Sequence, residues 1–373
     1  MNCAIASFYV ASALGVGPAE TLANYRAGRA PGMREISGDV PGRSLWFGSV
    51  PAELPPAADS RWDTRTNRLL ELALANMPEL GALAAKYGPD RVGVVLGASN
   101  TGIDEAQGYV ERWIAARAAD PSARPPEGFD FTMLELGTPA LYLKARLGAK
   151  GPAYTVSTAC SSAAKAFGAA RRLLARGICD IVVTGGVDGR CRFAMNGFHA
   201  LGALSEGRCR PLADDRDGIN LGEGVALFVL ARGDAGLRLA GVGETSDAYH
   251  ATAPDPSGAG AEAAMRAALA DAGLPPEAVN YVNLHGTGTQ ANDAMEMKAV
   301  SRIWRDGRVG RLAAPASGTI YESTKGLTGH CLGAAGAVEA AICLTLIREG
   351  LCRTALSNSF AFGGSNASVV FTA

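Results

Sequence analysis

Long apolar runs are missing from this sequence: no stretch reaches the roughly 20 apolar residues that span a bilayer. Met1 to Val10 also lacks a charged start followed by a long apolar core, so neither a membrane span nor a secretory leader is expected. An excess of charge of either sign is missing too. With 35 basic and 36 acidic residues the net charge is -1, which leaves no global field for gripping nucleic acid. Paired cysteines are absent: none of the eight stands at the two-residue separation used by metal knuckles and redox motifs, so a disulfide scaffold is excluded. These absences together predict a cytoplasmic protein with no nucleic-acid partner and no bound metal.

What the chain does have is core-forming material. It is 48% hydrophobic and 19% charged over 373 residues, enough to bury a large interior. Strand-like and helix-like segments alternate along it, the pattern that generates sheets covered by helices. The strand candidates are 91–96, 153–157, 180–184, 224–230, 280–284 and 367–372. Helices are expected over 65–77, 161–176, 261–272, 293–304 and 334–348, each with apolar residues three or four apart. Residues 119–128 are expected to form an exposed loop, and 231–236 a seam between two halves, 1–232 and 233–373.

Four local patterns carry chemistry. Cys160 lies in Thr-Ala-Cys-Ser-Ser between a strand and the start of a helix. The helix's positive end and unpaired amides are expected to lower the pKa of a thiol placed there and make it a nucleophile. Two of the four histidines, His285 and His330, lie in glycine-rich loops that allow close approach to a ligand. Neither stands at helical spacing from another histidine, so zinc is not expected from spacing. Asp293 and Glu296, three residues apart, project from one helix face, and Lys325 is a candidate partner for them. Near the end, Asn358-Ser359-Phe360-Ala361-Phe362-Gly363-Gly364-Ser365-Asn366 sets two aromatics beside flexible glycines. That segment suits a gate or a backbone oxyanion donor better than a phosphate loop.

Taken together, the Cys160 setting, the His285-Gly-Thr-Gly-Thr run, the Lys325 to His330 segment continuing into Gly-Ala-Ala-Gly, and the closing Asn-Ser-Phe-x-Phe-Gly-Gly-x-Asn resemble the elongating β-ketoacyl-acyl carrier protein synthases. The resemblance implies an α/β thiolase-like fold: two similar five-stranded halves in α-β-α-β-α layers, usually a dimer. It implies that Cys160 takes an acyl group as a thioester, with its own amide and that of Phe362 as the oxyanion hole. His285 and His330 would hold the enolate left when the malonyl group loses carbon dioxide. Thr287 and Thr289 would bind the phosphopantetheine arm, with Phe198 and His250 also at the substrate channel. Phe360 and Phe362 would gate it. Lys325, with Asp293 and Glu296, would organise the histidine loops, and Glu339 would be a further buried structural carboxylate.

No intrinsic cofactor is implied, because the substrates ride on an acyl carrier protein. Carriers are acidic, and Arg61, Arg65 and Arg68 are the docking candidates. The run from Ala98 to Ile103, with a compact loop after it in place of a longer segment between Asn100 and Gly151, resembles synthases of bacterial aryl-polyene clusters more than housekeeping fatty-acid enzymes. There the active subunit often pairs with a cysteine-lacking chain-length-factor-like homologue, so either a homodimer or a heterodimer is implied. The rival readings are a non-catalytic chain-length subunit, against which Cys160 and both histidines argue, and a Cys-His thioester hydrolase.

Overall fold

In the computed structural model, which describes residues 3–373, one 12-stranded sheet runs through the molecule. Its first five strands lie in the order Ala153–Val156, Val92–Gly97, Ile181–Asp188, Gly224–Arg232, Cys3–Ser12. The same order recurs in Ile320–Glu322, Tyr281–Asn283, Thr354–Ala361, Ser365–Thr372, Arg238–Ser246, with the short Arg308–Val309 strand added at the edge. Strand directions repeat as well. In each set the first three strands are parallel and the last two antiparallel. The sets join where Cys3 and Ala4 pair with Leu239 and Arg238.

Helices Ser162–Ala175 and Ala335–Arg348 lie between the two sets. The second has every residue buried except Arg348, as expected of a helix covered on all sides. Their side chains, with Val10, Val95, Phe228 and Phe371 from the strands, make the central core. Helix Arg65–Ala75 covers the outer face of the first set, and Ala259–Ala272 and Gln290–Ile303 cover the second, each over its own apolar cluster. The result is five layers, α-β-α-β-α, as the resemblance implies.

Two differences from the sequence reading concern elements. The segment after Ile103 is not a compact loop. It begins with the 17-residue helix Ile103–Ala119 and, after an exposed turn that includes 120–128, continues into helix Thr138–Arg146. The strands Cys3–Ser12, Met33–Val40, Arg43–Gly48, Arg238–Ser246, Ile320–Glu322 and Thr354–Ala361 are among those additional to the six expected. Among the described residues, no helix is long and apolar enough to cross a membrane.

Candidate active site

The site lies where parallel strands of both sets end, the usual place for function in open α/β sheets. Strand Ala153–Val156 exits into Thr158 and Ala159, and Ala159 adopts φ 52, a left-handed conformation that costs a residue with a Cβ. That tight turn sets Cys160 just before helix Ser162–Ala175. The Thr158 N–H donates to Ser162 Oγ at 2.9 Å, and the Ser161 hydroxyl donates to the Thr158 carbonyl at 2.8 Å and lies 3.0 Å from the Ser365 hydroxyl.

Cys160 is buried, and burial pushes its thiol up to about 12, outweighing the downward pull of Lys325 and of its own amide. This corrects the expectation of a lowered pKa. The helix end and the lysine favour the thiolate, but loss of water around the sulfur disfavours it more. The free protein therefore holds a thiol that needs a base beside it. His330 supplies one, with Nε2 3.0 Å from Cys160 Sγ.

His330 is held by its backbone. Its N–H donates to the Asn220 carbonyl at 2.7 Å, and its carbonyl accepts from the Gly222 N–H at 3.0 Å. Gly222 permits this approach: a Cβ there would stand 2.5 Å from the Thr328 carbonyl oxygen. The His285 and His330 rings meet edge to face with centroids 5.4 Å apart, and Phe360 lies 6.1 Å from His285. Burial first, and then the neighbouring Lys325 charge, hold both imidazoles well below their usual range, so both are neutral. Lys325 Nζ is 3.4 Å from His285 Nδ1. An ammonium can only donate, so His285 carries its proton on Nε2. His330 Nδ1 is buried without a hydrogen-bond partner, and Nε2 makes the ring's contact with Cys160 Sγ.

The carboxylates divide differently from the expected pairing. Lys325 forms its ion pair with Glu339 on helix Ala335–Arg348, not with Asp293 or Glu296. Glu296 instead accepts the backbone N–H groups of His285 at 2.8 Å and Gly286 at 2.7 Å, and the Asn358 side-chain amide at 3.0 Å. Burial pushes its carboxyl up to about 7 against those three donors. Asp293 accepts the N–H groups of Gly288 at 3.1 Å and Leu212 at 2.8 Å, with Arg216 3.6 Å away. Both acids shape the loop that follows His285 by holding its amides.

A cavity of about 240 Å³ opens onto Cys160, His285 and His330. Thr287, Thr289, Phe198, Phe360 and Phe362 line it, and the Phe198 and Phe362 rings sit 5.7 Å apart at 31°. His250 does not line it. That ring is exposed, and its Nδ1 accepts the N–H groups of Thr252 at 3.1 Å and Ala253 at 3.2 Å, fixing the loop whose next residues do. The three candidate docking arginines are all engaged with acids. Arg61 pairs with Asp59, Arg68 with Asp63, and Arg65 with the fully buried Glu223.

Sequence reasoning missed two supports. Asp188, fully buried and pushed up to about 7 by that burial, accepts the N–H groups of Ser99 and Asn100 and the Ser99 hydroxyl at 2.8 Å. Ser99 Oγ accepts the Gly333 N–H at 3.2 Å, tying the segment after His330 to the first half. Glu223 accepts two bonds from Arg65 at 2.5 and 2.6 Å, plus the Val50 and Arg190 amides at 3.0 and 3.1 Å. It thereby anchors the Asn220–Gly222 stretch against which His330 is laid. The available signal was an acidic residue inside an otherwise apolar strand segment, Leu-Gly-Glu-Gly-Val.

Cys160, His285 and His330 also form a set of donors: one ligating atom from each lies within 4.8 Å of the others.

Residues 51–235 match the family described as beta-ketoacyl synthase, N-terminal domain, and 237–357 match its C-terminal domain. Nodulation protein E of Rhizobium meliloti is 38% identical over 261 residues, 60% of this chain and 63% of that protein, so the matched stretch spans less than two thirds of its length. The 3-oxoacyl-[acyl-carrier-protein] synthase 2 of the 1021 strain of that organism is 35% identical over 321 residues, 74% of this chain and 73% of the other. Among solved structures, the ketosynthase ApeO in complex with its chain length factor ApeC, from Xenorhabdus doucetiae, superposes with a TM-score of 0.90. It is 36% identical over 100% of this chain and 98% of that one.

Proposed function

Because the chain belongs to the beta-ketoacyl synthase family, we propose that it performs a decarboxylative Claisen condensation between an acyl group on Cys160 and a malonyl group carried on acyl carrier protein. The observation that carries this reading is the convergence of one thiol and two neutral imidazoles, one nitrogen or sulfur from each within 4.8 Å of the others, at the end of one cavity.

Each step follows from the protonation states. His330 Nε2 takes the Cys160 proton as the sulfur attacks the acyl thioester, and the carrier thiolate leaves with that proton. The malonyl thioester then enters the cavity, its arm passing Thr287 and Thr289. As its carboxylate departs as carbon dioxide, negative charge moves onto the thioester oxygen. The His285 Nε2–H meets that charge, where hydrogen bonds in a water-excluded site are strongest, and neutral His330 adds a second donor once its single ring proton has moved from Nδ1 to Nε2. The enolate carbon attacks the acyl-Cys160 carbonyl, whose oxygen is met by the amides of Cys160 and Phe362. The Cys160 thiolate leaves, and the product is two carbons longer. Lys325, paired with Glu339, fixes the His285 tautomer; Phe360 and Phe362 act as gate. Residues 1–232 contribute the nucleophile and 233–373 the histidines.

We assign the protein to a polyene or fatty-acid-type pathway and to a dimer with a homologous subunit. The full-length likeness to a ketosynthase solved with a chain length factor supports that assembly. So does the free sheet edge at Ala153–Val156, where Tyr154 is exposed and Phe131, Leu134 and Leu141 are exposed on neighbouring segments. We place the protein in the cytoplasm, where its acyl carrier protein substrate would be met.

Intact-mass spectrometry with an acyl-carrier thioester tests the proposal. Wild type gains the acyl mass and, on adding malonyl carrier, releases a product two carbons longer. Acylation persisting in Cys160→Ala would overturn it.

A further inference from the structure

Tyr25 and Glu322, 297 residues apart in the chain, meet in the buried interior, where the Tyr25 hydroxyl donates to a Glu322 carboxylate oxygen. Only 1% of Tyr25 and 8% of Glu322 is exposed. We propose that this pair is a positioning device for His285: it pins the segments bearing His285 and Lys325, in the second half, to the half that bears Cys160. The inference rests on the reading of Cys160 and His285 as partners in condensation.

Glu322 ends the strand Ile320–Glu322, and both segments are tied to it or to its neighbour. It pairs in register with Asn283, and its carbonyl accepts the N–H of Leu284, the residue before His285, at 2.7 Å. Ser323 donates its hydroxyl to the Gly286 carbonyl at 2.5 Å and accepts the Lys325 N–H at 3.3 Å. The two loops are in such close contact there that a Cβ on Gly286 would stand 2.4 Å from the Ser323 Cβ. Residues 322–325 and 284–286 are therefore coupled as one piece, and that piece holds the contact of Lys325 Nζ with His285 Nδ1.

Tyr25 anchors this piece from helix Pro18–Ala27 of the first half. Burial first, and then the Glu322 charge, hold the Tyr25 phenol well above its ordinary range, so the hydroxyl keeps its proton and donates. Its oxygen also accepts the Leu312 N–H at 3.1 Å. The other partners of the carboxylate, Arg311 Nε at 3.3 Å, the Tyr281 hydroxyl at 3.4 Å and the Leu312 N–H at 3.4 Å, all belong to the second half. Burying a carboxylate costs stability that an apolar contact would not. What it supplies is register, because apolar surfaces slide past one another and a hydrogen bond to a carboxylate does not.

His330 is independent of this tie, since its backbone is bonded to Asn220 and Gly222 in the first half. Loss of the Tyr25 hydroxyl therefore displaces His285 and leaves the His330–Cys160 contact in place.

The test compares the full chain as wild type, Tyr25→Phe and Tyr321→Phe. The last is a control: Tyr321 lies on the same strand, but its hydroxyl donates to the Trp304 carbonyl at 2.5 Å, within the second half. Each form carries histidine labelled with carbon-13 at Cε1, and acylation of Cys160 and malonyl decarboxylation are timed separately. In Tyr25→Phe the His285 resonance shifts and the His330 resonance stays. Acylation keeps its wild-type rate while decarboxylation slows about 10-fold, short of the roughly 10²-fold that an ångström of misplacement costs. Tyr321→Phe shows no such selectivity. An unmoved His285 resonance in Tyr25→Phe, equal slowing of both steps there, or the same signature in Tyr321→Phe overturns the proposal. The resonances need no turnover, so a wild type that fails to condense counts against the synthase reading while the spectra still decide the positioning role.

Discussion

Lys325 and Glu339 face each other as a buried ion pair, with 1% and 2% of their side chains exposed. Removing one partner leaves the other charged or forces it to change protonation in a dry site. Glu339→Ala should therefore lose about 3–5 kcal/mol of stability, read by urea unfolding. The double variant Lys325→Met, Glu339→Ala should recover much of that loss yet stay poorly active, because His285 no longer has its fixed tautomer. Equal stability of the single variant and wild type would show that the pair is solvated.

The two histidines should separate the half-reactions. His285→Ala is expected to keep acylation of Cys160 while slowing malonyl decarboxylation by roughly 10²–10⁴-fold. His330→Ala should slow both, since His330 Nε2 is the group 3.0 Å from the sulfur. Rapid-quench mass measurement of the acyl-enzyme against carbon dioxide release resolves the two steps. Decarboxylation unaffected in both variants would remove the imidazoles from the mechanism.

Protonation gives a signed prediction. Both imidazoles have pKa values well below the usual 6.5, so the neutral forms the reaction needs persist as pH falls through that value. Condensation should stay flat across pH 6.5 and drop only on further acidification. Their contribution to stability is present above 6.5 and lost as pH falls toward the folded-state values, because the unfolded chain binds protons first. Glu296 acts in the opposite sense: its folded value of about 7 lies above the ordinary 4.5, so its burial penalises stability increasingly as pH rises from 4.5 to 7. Glu296→Gln should flatten that part of the stability profile, measured by thermal melts at each pH. Alkylation of Cys160 in the free protein, followed residue by residue, should still be rising at pH 9.0 where an ordinary thiol passes its midpoint.

Arg65 separates two interpretations of one residue. With its guanidinium bonded twice to the fully buried Glu223, Arg65→Ala should cost about 1–3 kcal/mol and lower the turnover number by loosening the stretch that holds His330. A raised KM for the carrier with stability unchanged would instead place Arg65 at a docking surface.

The parts of this molecule that were legible from sequence are those written in local patterns. The all-buried helix Ala335–Arg348 and the strand Ile181–Asp188 show as apolar runs, and Cys160, His285 and His330 show as reactive residues among glycines and small neighbours. Strand Arg238–Ser246 was not among those expected: two internal glycines, Gly241 and Gly243, interrupt its apolar alternation. In the fold they are where helix Ala259–Ala272 presses closest: a Cβ on Gly241 or Gly243 would stand 2.1 or 2.0 Å from a helix carbonyl oxygen. The partner of Lys325 was unreadable because a buried charge pairs with whatever acid the packed helices bring near, here Glu339 fourteen residues on. The raised Cys160 pKa escaped for a related reason: a helix end is visible in sequence, whereas the depth at which the sulfur is buried is set by the whole fold.

The repeated strand order has a consequence for how the reaction centre is owned. The strand that delivers Cys160, Ala153–Val156, and the strand that delivers Lys325 and His330, Ile320–Glu322, occupy the same position in their two sets. One copy of the pattern carries the sulfur and the other the rings, so neither is a small synthase in itself. Expressed as separate fragments, each would hold half a reaction, and turnover would mark the moment the two reassemble.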